Sequence, residues 1–561
     1  MEGLEISEIK LSDVMKDNLT QRFDADYFKK CFLQDEKILK DIGFARLKSF
    51  ASIGGGKRLP LGSAFSDVGV PYIRAEDVKG SFVEWDSSPK ISENLHLLLH
   101  RYQAKHNDVL LTIVGNSIGD VGIVKFDTKC NLTENCVRVV SKDVLPEYLF
   151  CYLKSKFGQN TIERERVGTA QPKLAIERIK EFKLPKPSKA FQEKTKNILE
   201  NSLQFKKESK QLYIKAEALL LKSLGLYHSP LEGESKQSLI ASEGGRNLKT
   251  NSDFNSLASF SDPSPNAKRS TLPQGEGDGT EIGSRSSNNR DLITLPLREG
   301  RFATQNGEGL SFDVGNPDEA NKFSHLSINQ KSFKESFRKT GRLDAEYYQP
   351  KYEKIIEIVK SYKNGFCKLE DLIKNYSTGF PYKSESYVDE GLLLIRINNI
   401  KKGELDISNA TKIPFIDENL SPKDVANEND ILISMSGTIG NSCKIPKGVT
   451  ALVNQRIMRI TTKNFDVDVL PLIINSMIGQ LQLERIGTGG VQTNISAGDI
   501  KEILLPNLYQ KTQSQISSLI QESFALKAKS EKLLEVAKKA VEMAIEDSEE
   551  KAIKYLEKTD F

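Results

Sequence analysis

The stretch SIGGGKRLP (Ser52–Pro60) carries three glycines, a lysine and an arginine, residue types that can cradle a phosphate. A P-loop needs Gly, four residues, then Gly-Lys-Ser/Thr, so that backbone N–H groups and a lysine close on one phosphate. Here the residue five before Gly56 is Ala51, and Lys57 is followed by Arg58. What remains is a flexible basic turn whose Lys57 and Arg58 could approach a phosphate backbone, or a plain loop. His96 and His100 sit one helical turn apart in ENLHLLLHRY (Glu93–Tyr102), and His106 follows. A zinc protease needs Glu directly after the first His, and Leu97 stands there. Cys130 and Cys136 do not complete a metal site, so these are expected to be ordinary surface or core histidines. NPDE (Asn316–Glu319) lacks the second proline and the aromatic of an adenine-holding methyltransferase loop. No nucleophile elbow, dinucleotide fingerprint or nuclease carboxylate–lysine cluster is present. A self-contained nuclease–methylase is therefore disfavoured, and the chain is expected to be non-catalytic.

The elements that would position any site occur twice. VGTAQPKLAIERIKEFKLP (Val167–Pro185) returns as IGTGGVQTNISAGDIKEILLP (Ile486–Pro506). RFDADYF (Arg22–Phe28) returns as RLDAEYY (Arg342–Tyr348), and VPYIRAEDVKG (Val70–Gly80) as LLLIRINNIKKG (Leu392–Gly403). NDVLLTIVGNSIG (Asn107–Gly119) returns as NDILISMSGTIG (Asn429–Gly440). The offset stays between 320 and 322 residues throughout, which scattered chance matches would not do. This is a duplicated domain.

The correspondence continues past the prolines. Steps of three and four give Ser202, Phe205, Ser209, Leu212, Ala216 and Leu219 in the first copy, and Ser523, Leu526, Ser530, Leu533, Ala537 and Ala540 in the second. That is a coiled-coil seam, small on one side. Either each helix packs on its own domain or the two pack on each other, and matching seams favour the second. Within each copy, DVLLTIV (Asp108–Val114), GIVKF (Gly122–Phe126) and ALVNQRIMRIT (Ala451–Thr461) read as strands, and PEYLFCYLKSKF (Pro146–Phe157) as helix. The fold class is α+β: two duplicated α/β domains, 1–188 and 331–508, followed by long helices at 189–228 and 509–558. Between them 229–330 is rich in Ser, Gly, Asn and Pro, without periodicity, and reads as a disordered linker.

Charge and cysteine usage set the class. The first copy holds 37 basic and 30 acidic residues and the linker 10 and 14, so the linker masks a basic first half. Six scattered cysteines fit a reducing compartment. The acidic, polar start MEGLEISEIK lacks a secretory signal, and the longest apolar runs are too short to span a bilayer. A cytoplasmic protein with no membrane partner is expected.

Two globular units, each ended by a coiled-coil helix and without catalytic motifs, resemble the specificity subunits of type I restriction–modification enzymes. The marks are the RLDAEYY-type opening of each half, the I-R-x-x-x-(I/V) and N-D-(V/I)-L-(L/I) strands, and the G-T…Q…I-K-E-x-x-L-P exit. That family usually carries Pro-Glu-Gln after the exit, whereas LPKPSKAFQEKTKNI (Leu184–Ile198) and LPNLYQKTQSQI (Leu505–Ile516) lack the Glu-Gln pair. The resemblance implies that each domain reads one half of a split, asymmetric double-stranded DNA site. It implies antiparallel spacer helices that dock methyltransferase subunits, two of them, with restriction subunits joining. S-adenosylmethionine, ATP and Mg would sit on those partners, and adenine methylation needs a flipped base. Helices of about 35 residues span about 50 Å, or about one and a half turns of B-DNA. The competing class is a scaffold whose duplicated domains bind proteins.

Candidate DNA contacts follow from side-chain chemistry. Asn398 and Asn399 carry amides suited to adenine, and Arg74 or Arg396 could fork onto guanine. Asn116 lies in the first copy's Gly-Asn turn. Gln171 and Lys173, with Gln492, Thr493 and Asn494, occupy the polar loops before each exit. Each could equally be a capping or buried structural residue.

Overall fold

Val109, Leu110 and Leu111 follow one another without a polar break, as a strand covered on both faces requires. All three are fully buried, and so are their counterparts Ile431, Leu432 and Ile433. A computed structural model describes residues 8–15, 22–168, 172–226, 292–294, 330–415, 421–487 and 494–558. The chain divides into two compact units, Met1–Gln211 with Ser523–Phe561, and Leu212–Glu522.

In the first unit, besides the short pair Ala45–Arg46 with Lys183–Leu184, the strands are β1 (Ala51–Gly55), β2 (Val70–Ile73), β3 (Lys90–Ile91), β4 (Gln103–Ala104), β5 (Val109–Thr112), β6 (Val121–Ile123), β7 (Cys130–Leu132) and β8 (Cys136–Ser141). They form two four-stranded sheets, ordered β1-β8-β5-β6 and β3-β2-β7-β4. The first is antiparallel, and the second holds one parallel pair, β2 with β7. Alternate residues of β5 enter different cores. Val109 and Leu111 pack with Tyr148, Phe150 and Phe157, while Leu110 packs with Ile73, Val78 and Leu132. Each such side chain contributes about 1.5–3 kcal/mol by leaving water.

The second unit repeats this plan strand for strand. Besides two short pairs, Phe366–Lys368 with Leu504–Pro506 and Ile400–Lys401 with Glu404–Leu405, its strands are β9 (Ile373–Ser377), β10 (Leu392–Ile395), β11 (Thr411–Ile413), β12 (Val425–Ala426), β13 (Ile431–Ser434), β14 (Ser442–Lys444), β15 (Ala451–Val453) and β16 (Ile457–Thr462). The orders are β9-β16-β13-β14 and β11-β10-β15-β12, and β10 with β15 is again the parallel pair. ALVNQRIMRIT is thus two strands broken at Asn454–Arg456, not one. The three polar side chains could not continue a strand buried on both faces.

The longer helices are α1 (Lys30–Ile42), α2 (Pro146–Lys154), α3 (Lys156–Glu165) and α4 (Lys189–Ser223), then α5 (Val469–Asn475), α6 (Met477–Gly487), α7 (Gln510–Glu546) and α8 (Glu549–Glu557), while Pro350–Lys360 repeats α1 in the second copy. PEYLFCYLKSKF is therefore two helices. Ser155 takes an extended conformation between them and its side chain accepts the Gly158 N–H, capping α3. Ser476 is extended in the same way between α5 and α6. The final helix is likewise interrupted. Ser548 turns the backbone extended and caps α8, so 509–558 holds two helices rather than one. In the linker, Leu292–Thr294 pairs antiparallel with Gln330–Ser332; the remainder of 229–329 lies outside the described residues.

The opening motif of each copy is a clamp. Arg22 binds Asp24 through Nε and Nη2, at 2.7 and 2.5 Å, and Arg342 binds Asp344 at 2.7 and 2.6 Å. Tyr27 has the guanidinium groups of Arg22 and Arg164 over its ring at 5.0 and 4.3 Å. Tyr347 has Arg342 and Arg485 at 4.6 and 4.3 Å. Each stack ties the start of a copy to its α3 or α6 helix, at order 0.5–2 kcal/mol per cation–π contact.

Beside the first clamp, Glu36 on α1 accepts from Lys183 and from Arg164, the latter at 2.8 Å. Burial pushes its carboxyl up, but the hydrogen bonds from Lys183 and Arg164 outweigh that and hold it at about 2. Because the folded value lies below the ordinary 4.5, the stabilisation is present at neutral pH and lost as pH falls from about 4.5 towards 2. Glu36→Gln is expected to lower Tm at pH 7 and to flatten the acid limb of the Tm–pH curve in that window. An unchanged acid limb would count against this assignment.

The two long helices meet inside the first unit. The Ser202 hydroxyl donates to the Ser530 carbonyl at 2.8 Å, and the Ser530 hydroxyl returns the bond to the Ser202 carbonyl at 2.7 Å. Ser209 and Ser523 face each other one heptad along, their hydroxyls 3.1 Å apart. The contacts run antiparallel, as the seams imply. They are also reciprocal: Ser202 meets the counterpart of Ser209, and Ser209 meets the counterpart of Ser202, as in a two-fold joint. The first helix packs on its own domain as well, Phe191 and Leu199 entering the core of Leu149, and Val536, Ala537 and Ala540 of α7 close that same core.

Candidate nucleic-acid interface

Three loops of the second unit share one groove of about 760 Å³. The first follows β10 and supplies Arg396, Asn398 and Lys401. The second follows β13 and supplies Thr438 and Asn441; the third joins β15 to β16 and supplies Asn454, Gln455 and Arg456. Backbone hydrogen bonds tie them together: Asn454 N donates to Ile395 O at 3.0 Å, and Met435 N to Arg456 O at 2.9 Å. Among the described residues three cations and several amides line the groove, and no carboxylate does. The Arg396 guanidinium lies over the Tyr387 ring, 5.7 Å from its centroid. Such a surface can offer forked donors and amide donor–acceptor pairs to an electronegative partner.

The first unit builds the same framework with different side chains. By the 321–322 offset, Arg396 corresponds to Arg74, Asn398 to Glu76, Asn441 to Asp120, Gln455 to Glu134 and Arg456 to Asn135. Arg74 is ion-paired with Glu76 and reaches Asp77 at 3.4 Å. Arg58 is exposed but bound to Glu134 at 2.6 Å. Both arginines therefore face carboxylates that an incoming phosphate or base would have to displace. Lys57 remains exposed, its backbone N–H held by Leu132 O at 3.0 Å.

The glycine run is not a flexible turn. Gly54 and Gly55 lie in β1, paired with Arg138 and Val137. Gly56 packs so closely that a Cβ there would stand 2.0 Å from Thr133 O. A bare backbone is what lets the strand end there.

Asn399 is a structural cap. It is buried; its carbonyl accepts the Arg396 N–H and its amide donates to Asp406 O, both at 2.9 Å. Asp77 holds the Arg74 N–H in the same way at 2.8 Å. Buried, with its carbonyl and one amide N–H bonded to backbone, Asn399 braces the loop. Arg74 and Arg396 also sit just past their strands rather than in them.

Asn116, Lys173 and Asn494 are exposed. Lys173 and Val167 exchange backbone hydrogen bonds at 2.8 and 2.9 Å, and Pro172 O accepts Gly115 N at 3.1 Å. Asn494 bridges Ser436. The polar loops before each exit thus spring from beside the turn after the central strand, while Gln171, Gln492 and Thr493 lie outside the described residues. Asn454, Gln455 and Arg456 escape a reading that runs ALVNQRIMRIT together as one strand. Three consecutive polar residues between two apolar runs are the signal for them.

His96 is a buried structural residue, Nδ1 at 2.6 Å from Asn131 Oδ1 and Nε2 at 3.1 Å from Gln103 Nε2. Among the described residues no group of His, Cys, Asp or Glu could hold a metal ion, and no helix is long and apolar enough to cross a membrane.

Residues 40–218 match the family model of the type I restriction modification DNA specificity domain. Over 183 residues the chain is 28% identical to the type I restriction enzyme EcoBI specificity subunit of Escherichia coli, covering 32% of this chain. The match spans 37% of that relative's length. Among solved structures, a type I restriction-modification S subunit from M. genitalium matches at 12% identity, over 92% of this chain and 95% of that one, with a TM-score of 0.32. The HsdS subunit from Thermoanaerobacter tengcongensis matches at 13% identity, over 90% and 97%, with a TM-score of 0.24. The chain is thus similar to type I restriction–modification specificity subunits, most directly through its first domain and helix.

Proposed function

We propose, proceeding from this likeness, that the chain is a DNA specificity subunit that reads a bipartite, asymmetric site and directs adenine methylation or restriction by partner subunits. One observation carries the reading: the same two-sheet framework is built twice, with one side-chain set at the second groove and another at its counterpart. A framework repeated with altered loops is what reading two unlike half-sites requires, since specificity resides in base-edge contacts while the scaffold only positions them. In this reading the chain itself is non-catalytic. Two methyltransferase subunits and restriction subunits supply the chemistry, holding S-adenosylmethionine, ATP and Mg, in the cytoplasm.

Mapping methyladenine in the host genome and in a strain lacking this gene tests the reading. Loss of one two-part motif is the expected outcome; an identical methylome sinks it. A protein-binding scaffold would instead show no sequence-selective retention of genomic fragments, with or without a methyltransferase partner.

A further inference from the structure

Among the described residues five non-glycine positions have positive φ: Ser81, Asn107, Asn429, Arg456 and Asn464. Four are Ser or Asn, short side chains that stabilise such turns locally. Arg456, at φ 67°, is a long β-carbon-bearing residue in a conformation that favours glycine or asparagine. Its counterpart Asn135, a residue better suited to that conformation, does not adopt it. The Arg456 turn is held from several sides. Gln455 N donates to Phe380 O at 3.0 Å and to its neighbour Asn454 Oδ1 at 2.8 Å, and Arg456 O accepts from Met435 N. Backbone strain of this kind persists where surrounding structure over-determines it, and it concentrates at functional sites.

The strained residue belongs to the groove lining. Arg456 is exposed, lines the groove beside Asn398 and Gln455, and has no carboxylate ion-pair partner among the described residues. We propose that Arg456 is a specificity-determining residue of the second domain, its guanidinium reading a guanine at the major-groove edge of that half-site. The assignment rests on the functional reading above. A planar fork matches the paired N7 and O6 acceptors of guanine, and the flanking amides match adenine on neighbouring steps. A phosphate needs neither the planarity nor the fixed direction, and Lys401 on the same groove can serve one.

The test uses the full chain with its methyltransferase partner, selected against a library of randomised DNA duplexes and sequenced. Wild type, Arg456→Gly and Arg456→Lys are compared, with Tm measured on each. Wild type is expected to give a two-part motif with a G·C pair in one half. Arg456→Gly should lose preference at that pair alone, by roughly tenfold to a hundredfold, with Tm unchanged or raised because glycine relaxes the turn. Arg456→Lys, keeping charge without the fork, should lose the same preference and keep the salt dependence. Uniform weakening with the motif intact would make Arg456 a phosphate contact and overturn the assignment. So would an unchanged motif, or a lowered Tm with general loss of binding. If wild type selects no motif at all, the functional reading itself fails and the assignment falls with it.

Discussion

Gly158→Ala should cost the first domain several kcal/mol, and Gly479→Ala should do the same to the second. A Cβ on Gly158 would stand 2.3 Å from Tyr152 O and 2.6 Å from Leu153 Cα; on Gly479 it would stand 2.4 Å from Ile474 O and 2.5 Å from Ile474 Cα. All are backbone atoms of the preceding helix, so no rotamer change relieves the clash. The helix pair must open, and the cores beneath it, with Phe157 and Ile478 fully buried, must open too. Overpacking of this order typically costs about 1–3 kcal/mol and more where backbone must move. The loss would also reach the groove. Gln480 donates its amide to Gly440 O at 3.0 Å and to Ile474 O at 2.9 Å, and Gln159 does the same to Gly119 O and Leu153 O at 3.0 and 2.7 Å. These glutamines pin the loop after each central strand to the kinked helices. Thermal unfolding of the single and double variants checks the expectation, with a separate transition for each affected unit. A Tm within a degree of wild type for Gly158→Ala would refute it.

The second large effect is at the helix seam. Ser202→Leu removes a hydroxyl that donates across the joint and places a branched side chain where Ser202 is fully buried against Ser530. The expected loss is the overpacking cost, about 1–3 kcal/mol, plus a share of a net hydrogen bond, about 0.5–1.5 kcal/mol. Ser202→Ala keeps the bond that Ser530 donates to the Ser202 carbonyl and should lose only the smaller part. Equilibrium unfolding of Ser202→Leu, Ser530→Leu and the double variant would show strong coupling, because the two sites share one contact. Additive losses would mean that the serines do not pack on each other.

Much of this was legible in the sequence for a physical reason. Duplication preserves whatever the framework needs, so a fixed offset exposes the clamp at Arg22 and Arg342 and the serine seam without knowledge of the fold. The same offset aligns SKFGQ (Ser155–Gln159) with SMIGQ (Ser476–Gln480), the kink, the tight glycine and the loop-pinning glutamine in five residues. Periodicity alone hides it, because a helix broken by one extended serine keeps its apolar pattern on both sides. The groove was harder to see. Arg74 and Arg396 occupy the same sequence context, yet one faces Glu76 and the other Tyr387, and only three-dimensional neighbours separate them. Asn398 and Asn399 are adjacent identical amides, one exposed and one consumed as a cap. Side-chain type cannot distinguish a reader from a brace when both need the same donors and acceptors.

The reciprocal serine joint carries a consequence for ancestry. Ser202 and Ser209 meet Ser530 and Ser523, which are the second copy's versions of Ser209 and Ser202. Either half of the chain therefore contains both sides of the contact. Two identical half-length chains could join antiparallel about a two-fold axis through it, Ser202 of one on Ser209 of the other, and would present two identical grooves to a palindrome. Fusing two such halves into one gene frees each groove to change without its twin. Glu76, Asp120 and Glu134 on one framework against Asn398, Asn441 and Gln455 on the other are a divergence that two copies of one chain could not hold.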